Sequence, residues 1–268
     1  LTGKARRQIR ALACRMKFLL ALFWTFWLGS TLAFATPESK SILVAPKVEI
    51  PVTRYNAGKQ SLILWLPSEN GVVQAEHDTA AKLARRGYSV WVADLFGARF
   101  LPVGPSSVDE IPAADVAGLI QAAAKQYRKI ILLSSGRGAA LALGGAQQWQ
   151  VQHRAQIIAG AVLLFPNLLA GSPEAGEEAA YLPLTQQMHL PITILQGDKS
   201  PWHWQLDTLK LQLEQGGSRV VIKSLPGMRD RFYFREDALP RERELADRLD
   251  GLIDDAIKSL PASKRKSP

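Results

Sequence analysis

The sequence predicts an α/β fold: a doubly wound, mostly parallel open sheet with helices on both faces. Apolar runs of strand length alternate along the chain with stretches of helical periodicity. Several of these runs are apolar at every position, which is typical of strands covered by helices on both faces. Right-handed crossovers between such strands produce the doubly wound arrangement.

The first predicted elements lie near the start of the folded region. Residues 48–52 read as an edge strand, because Pro51 has no N–H to donate to a second neighbour. The continuous apolar run at 62–66 predicts a buried strand. A helix over about 74–86 leads to a second buried strand at 88–93.

The later elements follow the same alternation. A helix over 113–125 has Pro112 at its start, where proline is favoured. An apolar stripe with a period of about 3.6 residues predicts one last helix over 245–260. The remaining predicted elements are strand 130–133, a helix from 138, strand 157–165, strand 192–195, helix 204–215 and strand 220–222.

The N-terminal region predicts export. After Met16 and Lys17 comes an apolar run over 18–29, which ends in Ala33-Phe34-Ala35. This order is typical of a secretory signal peptide with cleavage after Ala35. Residues 1–35 are therefore expected to be an N-terminal extension plus signal peptide, residues 36–262 a single domain, and residues 263–268 a basic tail. The expected location is periplasmic or secreted, with membrane contact only through the signal peptide.

Charge and cysteine content exclude several classes of function. The net charge is +9, but residues 1–35 carry six basic side chains and no acidic one, and Lys264, Arg265 and Lys266 supply all of the remaining charge. The domain itself is close to neutral, so it has no basic stripe for nucleic acid. The single cysteine, Cys14, excludes an intramolecular disulfide. No metal or cofactor motif is present, and we expect neither group.

One segment resembles a known family. Residues 86–97 read R-G-Y-S-V-W-V-A-D-L-F-G, similar to a stretch of the α/β-hydrolases that joins the first crossover helix to the next strand. The resemblance extends over roughly 60–260. It implies that strand 130–133 leads into a nucleophile elbow, G-x-S-x-G. Here residues 134–138 read S-S-G-R-G, so that Gly136 occupies the apex.

The other two positions of the catalytic triad also depart from the family pattern. The resemblance places the acid three residues after Gly197, where this chain has Ser200. It places the histidine in a pattern like L-P-G-x-x-H, where the chain has Asp230. A triad needs a nucleophile, a base and an orienting acid, so the three replacements together favour a protein that is not an enzyme. The alternative candidates for catalysis are Ser134, Ser135, His203 and Asp198.

The replaced elbow could still bind a ligand. Residues Gly136-Arg137-Gly138 open a helix after a strand, and the free N–H groups of a helix start favour an anion. We expect an anion pocket there, formed by Gly136, Arg137 and Gly138 and walled by Trp202 or Trp204. Ligands of such sheets bind at the carboxyl ends of the strands. The loops at that edge are 67–72, 94–100, 134–138, 197–204 and 226–231.

Three functions remain open at this point. The favoured one is an exported, non-catalytic protein that binds a small acidic molecule or a periplasmic protein partner. The alternative is a periplasmic carboxylic-ester hydrolase whose nucleophile is displaced to Ser134 or Ser135. A third is an accessory factor that uses its outer surface, and fold alone does not decide among the three.

Overall fold

An eight-stranded sheet runs through the computed structural model, which describes residues 36–58, 60–153, 156–171 and 179–261. The predicted signal peptide and basic tail lie outside the described residues. The strands are β1 (Glu38–Ala45), β2 (Val48–Tyr55), β3 (Ser61–Trp65), β4 (Ser89–Ala93), β5 (Lys129–Ser135), β6 (Ile158–Leu164), β7 (Pro191–Gly197) and β8 (Arg219–Leu225).

The strand order across the sheet is β1-β2-β4-β3-β5-β6-β7-β8. Strand β2 is antiparallel to both of its neighbours, and the six strands from β3 to β8 are parallel to one another. The predicted doubly wound, mostly parallel open sheet is therefore confirmed. The carboxyl ends of six strands meet at one edge, where ligands of such sheets bind.

Helices connect the parallel strands. They are α1 (Gln74–Arg85), α2 (Leu95–Arg99), α3 (Pro105–Glu110), α4 (Ala113–Ala124), α5 (Gly138–Gln152), α6 (Leu206–Gln215), α7 (Pro240–Asp247) and α8 (Leu249–Lys258). Short 3₁₀ turns cover Pro183–Gln187 and His203–Gln205. Among the described residues, no helix combines the length and the apolar character needed to cross a bilayer.

The strands separate two hydrophobic cores, one on each face of the sheet. Successive side chains of a strand point to opposite faces, and β3 shows this directly. Leu62 and Leu64 enter the core formed with α4, α5 and α6, whereas Ile63 and Trp65 enter the core formed with α1 and α8. Burial on both faces explains why β3 is apolar at nearly every position.

Residues 48–52 form a strand as predicted, within β2, but its predicted position at the edge of the sheet is wrong, because β1 pairs along the outer side of β2. The sequence signal for β1 is weak because most of its residues are exposed, as befits a strand at the edge. Pro51 is tolerated inside the sheet for a local reason. The pairing of β2 with β4 begins at Val52, so the missing N–H of Pro51 falls just beyond that ladder.

The predicted single last helix is also wrong. The backbone of Arg248 leaves helical geometry, with φ −109° and ψ 15°, and it separates α7 from α8. Only α8 carries the fully apolar stripe, and it buries Ile253, Ala256 and Ile257 against the sheet. The two short helices α2 and α3, which the sequence did not predict, lie between β4 and α4.

Two adjacent glycines in α5 provide a test of how closely this helix packs. A side chain at Gly145 would overlap Val116 of α4, whereas one at Gly144 would lie 3.6 Å from the Cβ of Ala113, an ordinary contact. We expect Gly145→Ala to lower the free energy of unfolding by about 1–3 kcal/mol, because overpacking forces the helices apart.

Gly144→Ala is the matched control for this prediction. It should leave stability unchanged or raise it by up to about 1 kcal/mol, since alanine favours a helix more than glycine does. Urea unfolding of both variants checks the difference. Equal effects of the two substitutions would contradict the close packing of α4 and α5.

Candidate functional site

A cleft of about 570 Å³ opens at the carboxyl ends of the parallel strands. It lies where the loops that follow β3, β5, β6, β7 and β8 converge, as the fold leads one to expect. The loop 94–100 does not contribute to it. Its lining residues are Glu69, Asn70, Pro105, Gly136, Phe165, Asn167, Lys199, Pro201, Trp202, Arg229, Asp230, Arg231 and Arg235.

The turn between β5 and α5 has the geometry of a nucleophile elbow. Gly136 has φ +54°, in the left-handed region where an elbow residue lies, and it lines the cleft. Gly138 needs to be glycine, because a side chain there would overlap the backbone of Pro67 and the hydroxyl of Ser134. The turn is therefore built as an elbow, but its apex carries no side chain.

A carboxylate from another loop stands at this apex. Oε2 of Glu69 accepts a hydrogen bond from the backbone N–H of Arg137 at 2.8 Å. A Cβ added at Gly136 would overlap the same carboxylate. In an enzyme with this elbow, the N–H after the nucleophile helps to form the oxyanion hole. Here that N–H donates its hydrogen bond to Glu69 of the same chain.

The positions of the expected acid and histidine are brought together, although neither residue has the expected type. Ser200 is buried after β7, where its Oγ accepts a hydrogen bond from the N–H of Trp202. Asp230 lines the cleft, and Nε2 of Gln196 lies 3.4 Å from its Oδ1. Burial raises the pKa of Asp230, the nearby charge of Glu69 raises it further, and a hydrogen bond with the Ser200 hydroxyl opposes this rise.

The two serines beside the apex are buried, and their hydroxyls have partners. Ser134 donates to the carbonyl oxygen of Leu66 at 3.1 Å. The Oγ of Ser135 lies 3.1 Å from the hydroxyl of Tyr233, which in turn donates to Oε1 of Glu76 at 3.1 Å. Neither serine lines the cleft. These contacts form a buried polar chain beneath the elbow.

That chain ends at Glu76, a buried acid whose pKa is raised. Glu76 is almost fully buried, and Oε2 of its side chain accepts a hydrogen bond from the N–H of Val73. Burial raises the pKa of Glu76 to about 7, although the bonds from Val73 and Tyr233 favour its charged form. Burial likewise raises the pKa of Tyr233 well above its ordinary range.

The histidines lie away from the cleft. His203 stands in a 3₁₀ turn, where its ring packs edge-on against Trp204 and its Nδ1 is buried without a hydrogen-bond partner among the described residues. His77 of α1 lies 3.0 Å from the hydroxyl of Tyr55. The ring of His153 stacks on Trp149. None of the four histidines, His189 included, belongs to the cleft lining.

Asp198, the remaining candidate acid, has a structural contact. Its Oδ1 accepts a hydrogen bond from the N–H of Gly227 at 2.7 Å, which ties the loop after β7 to the loop after β8. The residue does not line the cleft. The bond fixes the two loops relative to each other, and both of them contribute cations to the lining.

The residues of the predicted anion pocket are only partly brought together. Gly136 and Trp202 line the cleft, but Arg137, Gly138 and Trp204 do not. The guanidinium of Arg137 binds both carboxylate oxygens of Asp109 in α3, each at 2.8 Å. Trp204 is 86% exposed. The pocket at the helix start therefore stays a prediction, with its backbone donor already bonded to Glu69.

The sequence did not predict the four cations that line the cleft: Lys199, Arg229, Arg231 and Arg235. The guanidinium of Arg229 bonds the buried Glu242, and this contact lowers the pKa of Glu242 to about 2; the same guanidinium also bonds Asp237. Arg235 also binds Asp237. In contrast, no carboxylate among the described residues lies within ion-pair distance of Lys199 or Arg231. For Lys199, Arg229 and Arg231 the signal was their position in loops 197–204 and 226–231, whereas Arg235 lies beyond these ranges.

The described part of the chain contains no cluster of three or more histidine, cysteine or acidic side chains that could bind a metal ion. The cleft itself presents four cations, the two carboxylates of Glu69 and Asp230, and aromatic walls. Phe165 and Trp202 supply those walls.

Comparison with known proteins identifies the fold. No protein-family model matches the sequence, and no curated protein matches it. Solved structures do match. A hyperthermophilic esterase from the archaeon Pyrobaculum calidifontis has a TM-score of 0.62 at 16% identity, over 96% of this chain and 99% of that one.

Two further structures give the same result. Carboxyl esterase 2 from the fungus Tuber melanosporum has a TM-score of 0.60 at 13% identity, over 86% of this chain and 89% of that one. A bacterial heroin esterase has a TM-score of 0.60 at 16% identity, over 91% of each chain. The protein therefore has the α/β-hydrolase fold, as the motif at 86–97 implied.

The buried Glu76 leads to a prediction about stability. In the unfolded chain this carboxyl ionises near its ordinary pKa of 4.5, whereas in the folded protein its pKa is about 7. The free energy of unfolding therefore falls as pH rises through this interval. Above it, the folded state carries the full penalty of keeping an ionised carboxylate buried. Glu76→Gln removes the cost, so its stability relative to wild type should rise by about 3 kcal/mol between pH 4 and pH 8.

Urea unfolding of both proteins across this pH range checks the prediction. The comparison at pH 4 is the internal control, because Glu76 is then largely protonated in both states and the two proteins differ mainly in the amide. Parallel pH profiles would show that the buried carboxyl does not titrate as described.

Proposed function

We propose that this protein is an exported, non-catalytic member of the proteins with this fold, and that it binds a small acidic ligand in the cleft at the carboxyl edge of the sheet. One observation carries the proposal: the elbow apex is Gly136, and the carboxylate of Glu69 holds the backbone donor beside it. A covalent hydrolytic mechanism needs an activated nucleophile at that place.

The surrounding residues support the absence of catalysis. Ser134 and Ser135 are at most 1% exposed, and their hydroxyls are engaged with Leu66 and Tyr233. No histidine among the described residues lines the cleft, so no imidazole is at hand to take a hydroxyl proton. Asp230 stands where the base is expected.

The cleft lining supports an acidic ligand. Lys199 and Arg231 are exposed and come from the loops after β7 and β8, which the Asp198–Gly227 bond holds together. Their charges are available to a carboxylate or phosphate, and a guanidinium can bind either group with two hydrogen bonds. Phe165 and Trp202 offer apolar contact to the rest of the ligand. A ligand with an acidic group attached to an aromatic or aliphatic body fits this lining.

Export is part of the same proposal. The basic start, the apolar run over 18–29 and the Ala33-Phe34-Ala35 ending support a signal peptide, and hence a periplasmic or secreted location. In the periplasm a binding protein of this kind could also meet a protein partner, which would use the outer surface of the domain. The cleft favours the small ligand.

A periplasmic carboxylic-ester hydrolase is the second candidate function. It is favoured by the solved structures that match the chain, because those quoted above are described as esterases. This function would require Ser134 or Ser135 to become accessible and His203 or another base to reach it. The buried hydroxyls, and the lack of a histidine in the cleft lining among the described residues, argue for the first function, whereas the fold comparisons argue for the second.

Binding of benzoate tests the first function, since benzoate combines a carboxylate with an aromatic ring. We expect benzoate to bind more tightly than benzamide, its neutral analogue. Lys199→Gln and Arg231→Gln should each weaken benzoate binding about fivefold, because each removes one exposed charge partner. Titration followed by ¹H–¹⁵N spectra measures the affinities.

A matched variant controls for the loss of positive charge. Lys210 of α6 lies outside the cleft and pairs with Glu214 on the helix surface at 3.9 Å. Lys210→Gln should leave benzoate affinity unchanged. If the three variants behave alike, or if benzamide binds as well as benzoate, the cleft is not an acidic-ligand site.

A serine-reactive fluorophosphonate probe, together with turnover of short-chain esters, tests the second function. We expect neither labelling nor turnover above the background of the Ser134→Ala and Ser135→Ala variants, because the apex has no hydroxyl. Labelling that is lost in one of these two variants would identify a displaced nucleophile and establish the esterase. Residues 36–268 are suitable for both assays.

A further inference from the structure

Glu69 contacts the elbow through a hydrogen bond to its backbone. The side chain comes from the loop after β3, and its Oε2 accepts the N–H of Arg137 at 2.8 Å. No cation among the described residues lies within ion-pair distance of this carboxylate. It is therefore stabilised at the elbow by a backbone donor and by the positive end of α5, a helix of 15 residues.

The lining of the cleft carries charges of both signs. At the elbow a negative charge of the protein stands at the backbone donor, so that an incoming anion would have to displace a group of its own charge. Elsewhere in the lining Lys199 and Arg231 carry positive charge, and Asp230 lies next to Arg231 in the chain. The charge of Glu69 also contributes to the raised pKa of Asp230, another residue of the lining.

We propose that Glu69 determines the specificity of the cleft by acting as an internal competitor for anions at the elbow. The inference rests on the proposed binding of an acidic ligand and adds to it the orientation of that ligand. The acidic group binds at Lys199 and Arg231, while the elbow donor stays closed. Ligands that carry a second negative charge toward the elbow are rejected by repulsion.

The geometry also explains why the apex is glycine. A Cβ at position 136 would overlap the Glu69 carboxylate, so the two residues are sterically coupled. The positive φ of +54° disfavours any other residue independently of Glu69. The steric part of the cost can be separated from the backbone part by removing the Glu69 side chain.

The first experiment follows the Arg137 amide during titration with benzoate. In wild type we expect benzoate to shift the resonances of Lys199 and Arg231 and to leave the Arg137 amide unmoved. In Glu69→Ala the Arg137 amide should shift with benzoate, and affinity should rise about tenfold, because a donor for a charge-assisted hydrogen bond is released.

Glu69→Gln is the matched control. It removes the charge but keeps an oxygen that can accept the Arg137 N–H, so affinity should rise less than in Glu69→Ala and the Arg137 amide should stay unmoved. The proposal is overturned if benzoate shifts the Arg137 amide of wild type as strongly as that of Glu69→Ala. It is also overturned if the amide of Glu69→Ala does not respond.

A second experiment needs no binding at Lys199 or Arg231, so it separates failure of this inference from failure of the proposed function. Inorganic phosphate replaces benzoate in the variant Glu69→Ala/Lys199→Gln/Arg231→Gln, with the corresponding Lys199→Gln/Arg231→Gln variant as reference. Only the variant that lacks Glu69 should show a phosphate-dependent shift of the Arg137 amide. Equal responses in both would overturn the role of Glu69 whatever the outcome with benzoate.

Thermal unfolding provides the steric test. Gly136→Ala should lower the melting temperature more in wild type than in the Glu69→Ala background, because the backbone strain is common to both and cancels in the comparison. Equal losses in the two backgrounds would show that Glu69 does not occupy the space above the apex, and the proposal would fail.

Discussion

The hydrogen bond between the Glu69 carboxylate and the Arg137 amide is the contact on which the rest of the site depends. It takes up the backbone donor at the start of α5 and fills the space above Gly136. Because a side chain at the apex and this carboxylate exclude each other, the loop after β3 and the turn after β5 form a single steric unit. The charged side chains of the cleft other than Glu69 come from the loops after β7 and β8.

A second layer of contacts holds those two loops. Asp198 accepts the N–H of Gly227, and Arg229 binds the buried Glu242, so the stretch of chain that leads into Asp230 and Arg231 is held by two contacts. A rigid loop orders its cations in advance, which lowers the entropy lost when a ligand binds.

The sequence was informative where a local pattern sets local geometry. The small residues over 134–138 predict the elbow because only such residues fit its close approach to Pro67, and the motif spacing led to Ser200 and Asp230. It was uninformative where partners are remote. The bond from Glu69 joins residues 68 apart, and that between Ser135 and Tyr233 joins residues 98 apart. No periodicity predicts such pairs. The strand β1 was missed because its first four residues are polar and exposed and its apolar run, residues 42–45, is short.

The buried Glu76 has a thermodynamic consequence for any study of this protein in solution. Its carboxyl is ionised in the unfolded chain but protonated in the native state at pH values between about 4.5 and 7. Folding in that interval therefore takes up close to one proton from the medium. The heat observed by calorimetry then includes the ionisation of the buffer, so phosphate and imidazole solutions at the same pH will report different apparent enthalpies for one and the same transition.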